Sequence, residues 1–176
     1  MDSRLADLLR PSRLTAVVDV GANPIDGAPP YASMLAAGLC SVAGFEPQSQ
    51  ALDKLRAAAG QNERYFGCAV GDGTPKTLYR TRSEGMSSTL APDKASLAAF
   101  HSLAEYGRVV AETPVETRRL DDIDLGPVDF LKIDVQGGEI DVFRHGRETL
   151  KNAVAIQTEV SFVTLYEGQA PLGVID

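Results

Sequence analysis

The apolar residues of this chain fall in short, nearly continuous blocks, and these blocks alternate with segments of helical period. Thr15–Val20 (TAVVDV), Ser41–Phe45 (SVAGF), Arg64–Val70, Val128–Val135 and Ala153–Phe162 read as strands. Unbroken β-rich blocks are the pattern of strands covered on both faces, as in a parallel sheet. Between them, Tyr31–Ala37, Gln48–Ala59 and Glu139–Leu150 carry the helical pattern, the first two ended by Gly38 and Gly60 and the third interrupted near Gly146. Thr77–Thr81 and Thr113–Arg118 predict two more strands, flanking an excursion that holds a helix over Lys94–Tyr106. At the N-terminus Ser3–Arg10 predicts a short helix, stopped by Pro11.

Strands alternating with helices, at spacings long enough for crossovers, predict an α/β fold: a doubly wound, mostly parallel sheet with helices on both faces. In such sheets a ligand lies beyond the carboxyl ends of the strands, near the point where strand order reverses. At 176 residues the chain fits one core. The expected organisation is an N-terminal helical extension over 1–14 and one domain over 15–176, with the excursion at about 80–113.

The net charge of −7 disfavours nucleic acid, whose binding draws on Lys and Arg meeting phosphate. No apolar run approaches the ~18 residues that span a bilayer. The first residues lack the apolar core of a leader, so a cytoplasmic location is expected. Cys40 and Cys68 sit in apolar contexts without metal-ligand spacing and read as buried thiols. No metal set is visible, and Asp121, Asp122 and Asp124 read as turn and capping residues.

Four strand ends carry the polar residues that should converge on one crevice. Asp19, Gly21 and Asn23 end the first strand, where a glycine lets backbone approach a ligand closely. Glu46 ends the second, where a carboxylate can accept both hydroxyls of a ribose or stand solvated. Asp72 can accept from an adenine amino group or initiate its own turn. Asp134 closes an apolar strand, where a buried carboxylate needs a partner, and Gly137-Gly138 opens the next helix.

These residues, in this order, resemble the FkbM family of S-adenosylmethionine-dependent methyltransferases. The resemblance rests on VVDVGAN (17–23), GFEPQ (44–48), CAVGDG (68–73), MSSTL (86–90), TRRLDDI (117–123), DFLKIDVQGGEIDVF (129–143) and QTEVSFVTLYEGQ (157–169). It implies a class I, Rossmann-like methyltransferase fold with S-adenosylmethionine at the strand ends, and O-methylation of a small-molecule or glycan acceptor such as a sugar, glycolipid or secondary metabolite. It implies that Asp19, Gly21 and Asn23 line the methionine part of the donor. Glu46 would hold the ribose diol, Asp72 would lie near the adenine, and Asp134 would lie near the donor's amino group and the acceptor.

A hydroxyl acceptor benefits from a general base, and the candidates are Asp134 and Glu159. His101 and His145 read as structural, and Glu139 suits a helix N-terminus. Ser87 and Ser88, in the MSSTL segment, and Tyr166, with Gln169 behind it, are the acceptor-side candidates. Three features depart from the family pattern. Pro24–Pro30 extends the glycine turn; Gln136 and Gly138 stand where Glu and Ala are common; and the chain ends at Asp176, so the C-terminal strand pair is expected to be missing. A nicotinamide-dependent oxidoreductase would share the glycine turn and the ribose acid, but Gly21-Ala-Asn-Pro-Ile-Asp does not spell G-x-G-x-x-G. A non-catalytic module keeping the fold and the donor site is the other reading.

Overall fold

A computed structural model describes residues 11–25 and 27–176. The helix expected over Ser3–Arg10 lies outside the described residues. The centre is a five-stranded parallel sheet of β1 (Thr15–Val20), β2 (Cys40–Phe45), β3 (Glu63–Phe66), β8 (Phe130–Ile133) and β9 (Ala155–Thr158). Its spatial order is β3-β2-β1-β8-β9, so the order reverses between β1 and β8. This is the doubly wound α/β sheet that the pattern predicts.

Both faces of the central strands are covered, which is why they read as unbroken apolar blocks. On one face Val18, Val20, Phe45, Leu131 and Ile133 pack with Val70, Leu120 and Val142. Val142 belongs to α5 (Glu139–Arg144), which is followed across Gly146 by α6 (Arg147–Leu150). On the other face Val17, Cys40 and Val42 meet Tyr31 and, from α1 (Ala32–Ala36), Met34 and Leu35. The helix α2 (Ser49–Ala58) carries the crossover from β2 to β3 and buries Ala51 and Leu52.

Several expected elements differ in extent. The third strand does not run through to Val70. It stops at Phe66, because Gly67 packs so closely against α2 that a Cβ there would lie 2.7 Å from Leu52 Cδ2. The chain bends, and β4 (Ala69–Val70) pairs instead with β7 (Thr117–Arg118) in a small parallel ladder. The strand expected over Thr113–Arg118 is divided in the same way. β6 (Val109–Val115) runs antiparallel to β5 (Lys76–Thr81), and at Glu116 the chain changes partner. The helix over Lys94–Tyr106 is two short helices, α3 (Lys94–Ala98), capped by Asp93, and α4 (Leu103–Tyr106). The break lets α4 fold back until Gly107 meets Leu97. Finally, β9 is shorter than Ala153–Phe162, since β8, its only partner among the described residues, ends at Ile133. A last helix, α7 (Leu172–Ile175), follows.

Outside the sheet, Asp129 clips the start of β8 to the start of β1. Its carboxylate accepts from the Ala16 amide (2.8 Å) and from Arg13 Nη2 (2.7 Å). The Arg13 hydrogen bond, with the Ala16 amide, holds this carboxyl at about 2, below its ordinary value.

Two outcomes follow for stability. Leu131, on β8, is fully buried in the core on one face of the sheet, and Leu131→Ala should lower unfolding free energy by about 2–5 kcal/mol in urea titrations. Asp129 has a folded pKa below its unfolded one, so it contributes stability above the unfolded value, and that contribution is lost as pH falls through the folded one. Asp129→Ala should therefore be less stable at pH 7, with the gap to the native chain closing between roughly pH 4 and pH 2.

Candidate functional site

The carboxyl ends of the parallel strands are stitched into one continuous rim. Glu46 N donates to Phe66 O (3.0 Å), and Gly21 N and Ala22 N donate to Phe45 O (3.1 and 3.0 Å). Asp134 N donates to Val20 O (2.9 Å). Gly21 is the tight point: its φ is +82°, and a Cβ would lie 1.9 Å from the Asp134 carbonyl oxygen. Only glycine fits that conformation and that approach.

Above the rim lies a crevice with apolar walls from Val20, Phe45, Val70 and Leu78 and polar groups from Asn23, Glu46, Ser87, Asp134 and Gln136. Its far wall is the excursion: β5 and the 3₁₀ turn Glu84–Met86. Asn23 Nδ2 donates to Glu84 Oε1 (3.0 Å), an exposed bridge between the glycine turn and that wall. Glu46 is 3% exposed and accepts from Gln48 N (2.7 Å), and burial pushes its carboxyl above the ordinary value. Lys76 reaches into the crevice and is held by Asp141 (2.6 Å).

A second cavity, about 260 Å³, opens on the α1 side of the same rim. The glycine-turn extension lines it through Pro24, Pro29 and Pro30, and the end of β9 contributes Gln157, Thr158 and Glu159. Asn23 and Asp134 line both cavities. The extension therefore lines both, with Ile25 on the crevice and the prolines on its neighbour.

Asp19 is 1% exposed and walls the second cavity, not the crevice. It stands in register with Lys132 across β1 and β8. Its Oδ1 is 3.1 Å from Lys132 Nζ, without hydrogen-bond alignment, and its Oδ2 accepts from Tyr31 OH (2.6 Å). Burial raises the Asp19 carboxyl, opposed by the Lys132 charge, and burial beside Asp19 raises the Tyr31 hydroxyl. Lys132 Nζ also donates to the Gly21 carbonyl (2.8 Å).

Other residues singled out in the sequence are spread more widely. Gly21, Asn23, Glu46, Ser87 and Asp134 come together at the crevice, and Glu159 faces the second cavity. Asp72 lies off the crevice, where its Oδ1 accepts from Thr74 N and Thr74 OH (2.9 and 2.7 Å). Those bonds first, and Lys76, hold its carboxyl at about 2. The turn role is the one whose contacts are present. Ser88 is 2% exposed, donating to Gln136 O (2.7 Å) and accepting from Leu90 N (3.0 Å). Tyr166 is buried too, its hydroxyl 3.0 Å from Met86 O and 3.2 Å from Gln136 Oε1. Gln169 braces the same loop, accepting from Leu165 N (2.7 Å) and donating to Ser161 Oγ (2.6 Å). Glu139 accepts from Gly137 N (3.1 Å) at the start of its own helix.

Sequence reasoning missed Lys132 and the hub formed by Gln136. The signal for Lys132 was a lone cation inside an apolar strand, which calls for a buried anion.

The family model described as "Methyltransferase FkbM domain" matches residues 19–175. A curated relative, "2-O-methyltransferase NoeI" from Sinorhizobium fredii, is 32% identical over 168 residues, covering 90% of this chain and 68% of the relative. A crystal structure of "Methyltransferase FkbM from Methylobacillus flagellatus KT" aligns with a TM-score of 0.49 at 15% identity, over 84% of this chain; the chain spans 33% of that one.

Glu46 carries a stability consequence of the opposite sign to Asp129. Its folded pKa is raised, so the native state holds its proton more tightly than the unfolded chain, and stability falls as pH rises from the unfolded value through the folded one. Glu46→Gln should melt higher than the native chain at pH 7.5, with the difference shrinking toward pH 4 in thermal scans.

Proposed function

The chain belongs to the FkbM methyltransferase family, and from that premise we propose that it moves a methyl group from S-adenosylmethionine to a hydroxyl oxygen of a sugar, glycolipid or other small molecule. The carrying observation is the buried Glu46 carboxylate on the same stitched rim as the Gly21 turn and Asp134. The relative NoeI, a 2-O-methyltransferase, supports an oxygen acceptor. Two free, buried thiols, Cys40 and Cys68, support a reducing compartment such as the cytoplasm.

The residues present fit the donor. Glu46 offers a desolvated carboxylate for a ribose diol, and Val70 and Leu78 offer apolar walls for a purine. The carboxylates of Glu46, Glu84 and Asp134 line a crevice suited to a cation, while Asp141 is paired with Lys76. When bound, the sulfonium supplies a methyl carbon already activated for displacement. The work left to the chain is alignment, because a correctly oriented pair reacts as if one step had become intramolecular. Gly21 and Asn23 would hold the donor's methionine end. Asp134 and Glu159 are the candidate bases for the hydroxyl proton, and Ser87 an acceptor-side contact. Ser88 and Tyr166 act behind them, through Gln136.

Calorimetric titration tests this reading. S-adenosylmethionine should bind saturably and NAD should not, and Glu46→Ala should weaken donor binding at least tenfold, the scale of a charge-assisted hydrogen bond. A folded chain that binds no donor overturns the proposal and favours a module without catalysis.

A further inference from the structure

Gln136 stands where the family pattern commonly has glutamate, and in the fold it lines the crevice beside Asp134, a residue shared by both cavities. Among the described residues it is the one non-glycine with positive φ (54°). A side chain in the left-handed region is held there by its surroundings, and here the Ser88 hydroxyl donates to its carbonyl at 2.7 Å. The side-chain nitrogen of Gln136 donates to Asp134 Oδ1 and to Glu159 Oε2, both at 2.8 Å. Its oxygen faces the Tyr166 hydroxyl at 3.2 Å. The orientation of the amide is dictated by chemistry, since a flipped group would turn its oxygen onto two carboxylates.

Asp134 lines both cavities and Glu159 the second. We propose that Gln136 is a positioning residue: its uncharged carboxamide ties the Asp134 and Glu159 carboxylates into one pair that faces an acceptor hydroxyl held in the second cavity. The catalytic half of this statement rests on the methyltransferase reading; the geometric half does not. As the hydroxyl oxygen bonds to the methyl carbon and the C–S electron pair returns to sulfur, the hydroxyl proton passes to one carboxylate of the pair. The second cavity suits a polyhydroxylated ring, with Gln157, Thr158 and Lys132 on its polar side and Pro24, Pro29 and Pro30 on its apolar side. A glutamate at 136 would bring a third carboxylate to the same point. Such a set calls for a shared proton or a hard divalent cation.

Calcium titration by calorimetry, on the native chain and on Gln136→Glu, reads this directly. Circular dichroism and S-adenosylmethionine binding serve as controls. The variant should bind calcium at least tenfold more tightly than the native chain, and a smaller change in a folded, donor-binding variant overturns the proposal. Should Gln136→Glu not fold, the ¹⁵N side-chain amide resonance of Gln136 in the native chain decides. It should shift on Glu159→Gln, and an unmoved resonance overturns the proposal. Failure of the methyltransferase reading shows separately, as absent donor binding by the native chain.

Discussion

The ion pair between Asp19 and Lys132 is the contact on which the site depends. Both residues sit inside otherwise apolar strands and in register with each other. Burying two charges is expensive, and removing one partner from such a pair costs about 3–5 kcal/mol because the other is left uncompensated. An apolar pair of similar volume could fill the same space at little cost to stability. What it could not do is donate to the Gly21 carbonyl, as Lys132 does. That bond anchors the carbonyl of the one residue in the turn whose added Cβ would lie 1.9 Å from the Asp134 carbonyl oxygen. A charge pair with little net value for folding thus sets the geometry of the rim.

Along that rim the acidic groups divide by environment. Glu46 and Asp19 are desolvated, their carboxyls raised by burial. Asp72 and Asp129 lie toward the surface, held low by hydrogen bonds and neighbouring cations. The raised pair opposes folding at neutral pH, where each carboxyl would be ionised in the unfolded chain. The lowered pair closes turns and strand starts. Carboxylates therefore separate by the water they have lost, the desolvated ones at the ends of the central strands and the hydrogen-bonded ones at turns and strand starts.

The central strands were legible because they are covered on both faces, and Thr15–Val20 matches its observed limits. The break at Gly67 was not, since the apolar pattern runs straight across it and the cause, Leu52, lies in another element. The change of partner at Glu116 is likewise a tertiary event. Gly21, Asn23, Glu46 and Asp134 could be grouped from strand ends alone, because parallel strands must end on the same side. Ser88 and Tyr166 could not be separated from Ser87 by motif, since a motif records neither burial nor the direction of a hydroxyl. Gln136 was visible as an unusual residue, but its two carboxylate partners come from different strand ends and meet only in the folded chain.

The Asn23–Glu84 hydrogen bond ties the glycine turn to the wall opposite it, and it is exposed. Parting an exposed neutral-to-charged contact of this kind costs about 1 kcal/mol, far less than disturbing Phe45 or Leu131 beneath it. The glycine turn and the wall can then part at this contact while the resistance of the domain to unfolding stays where it was.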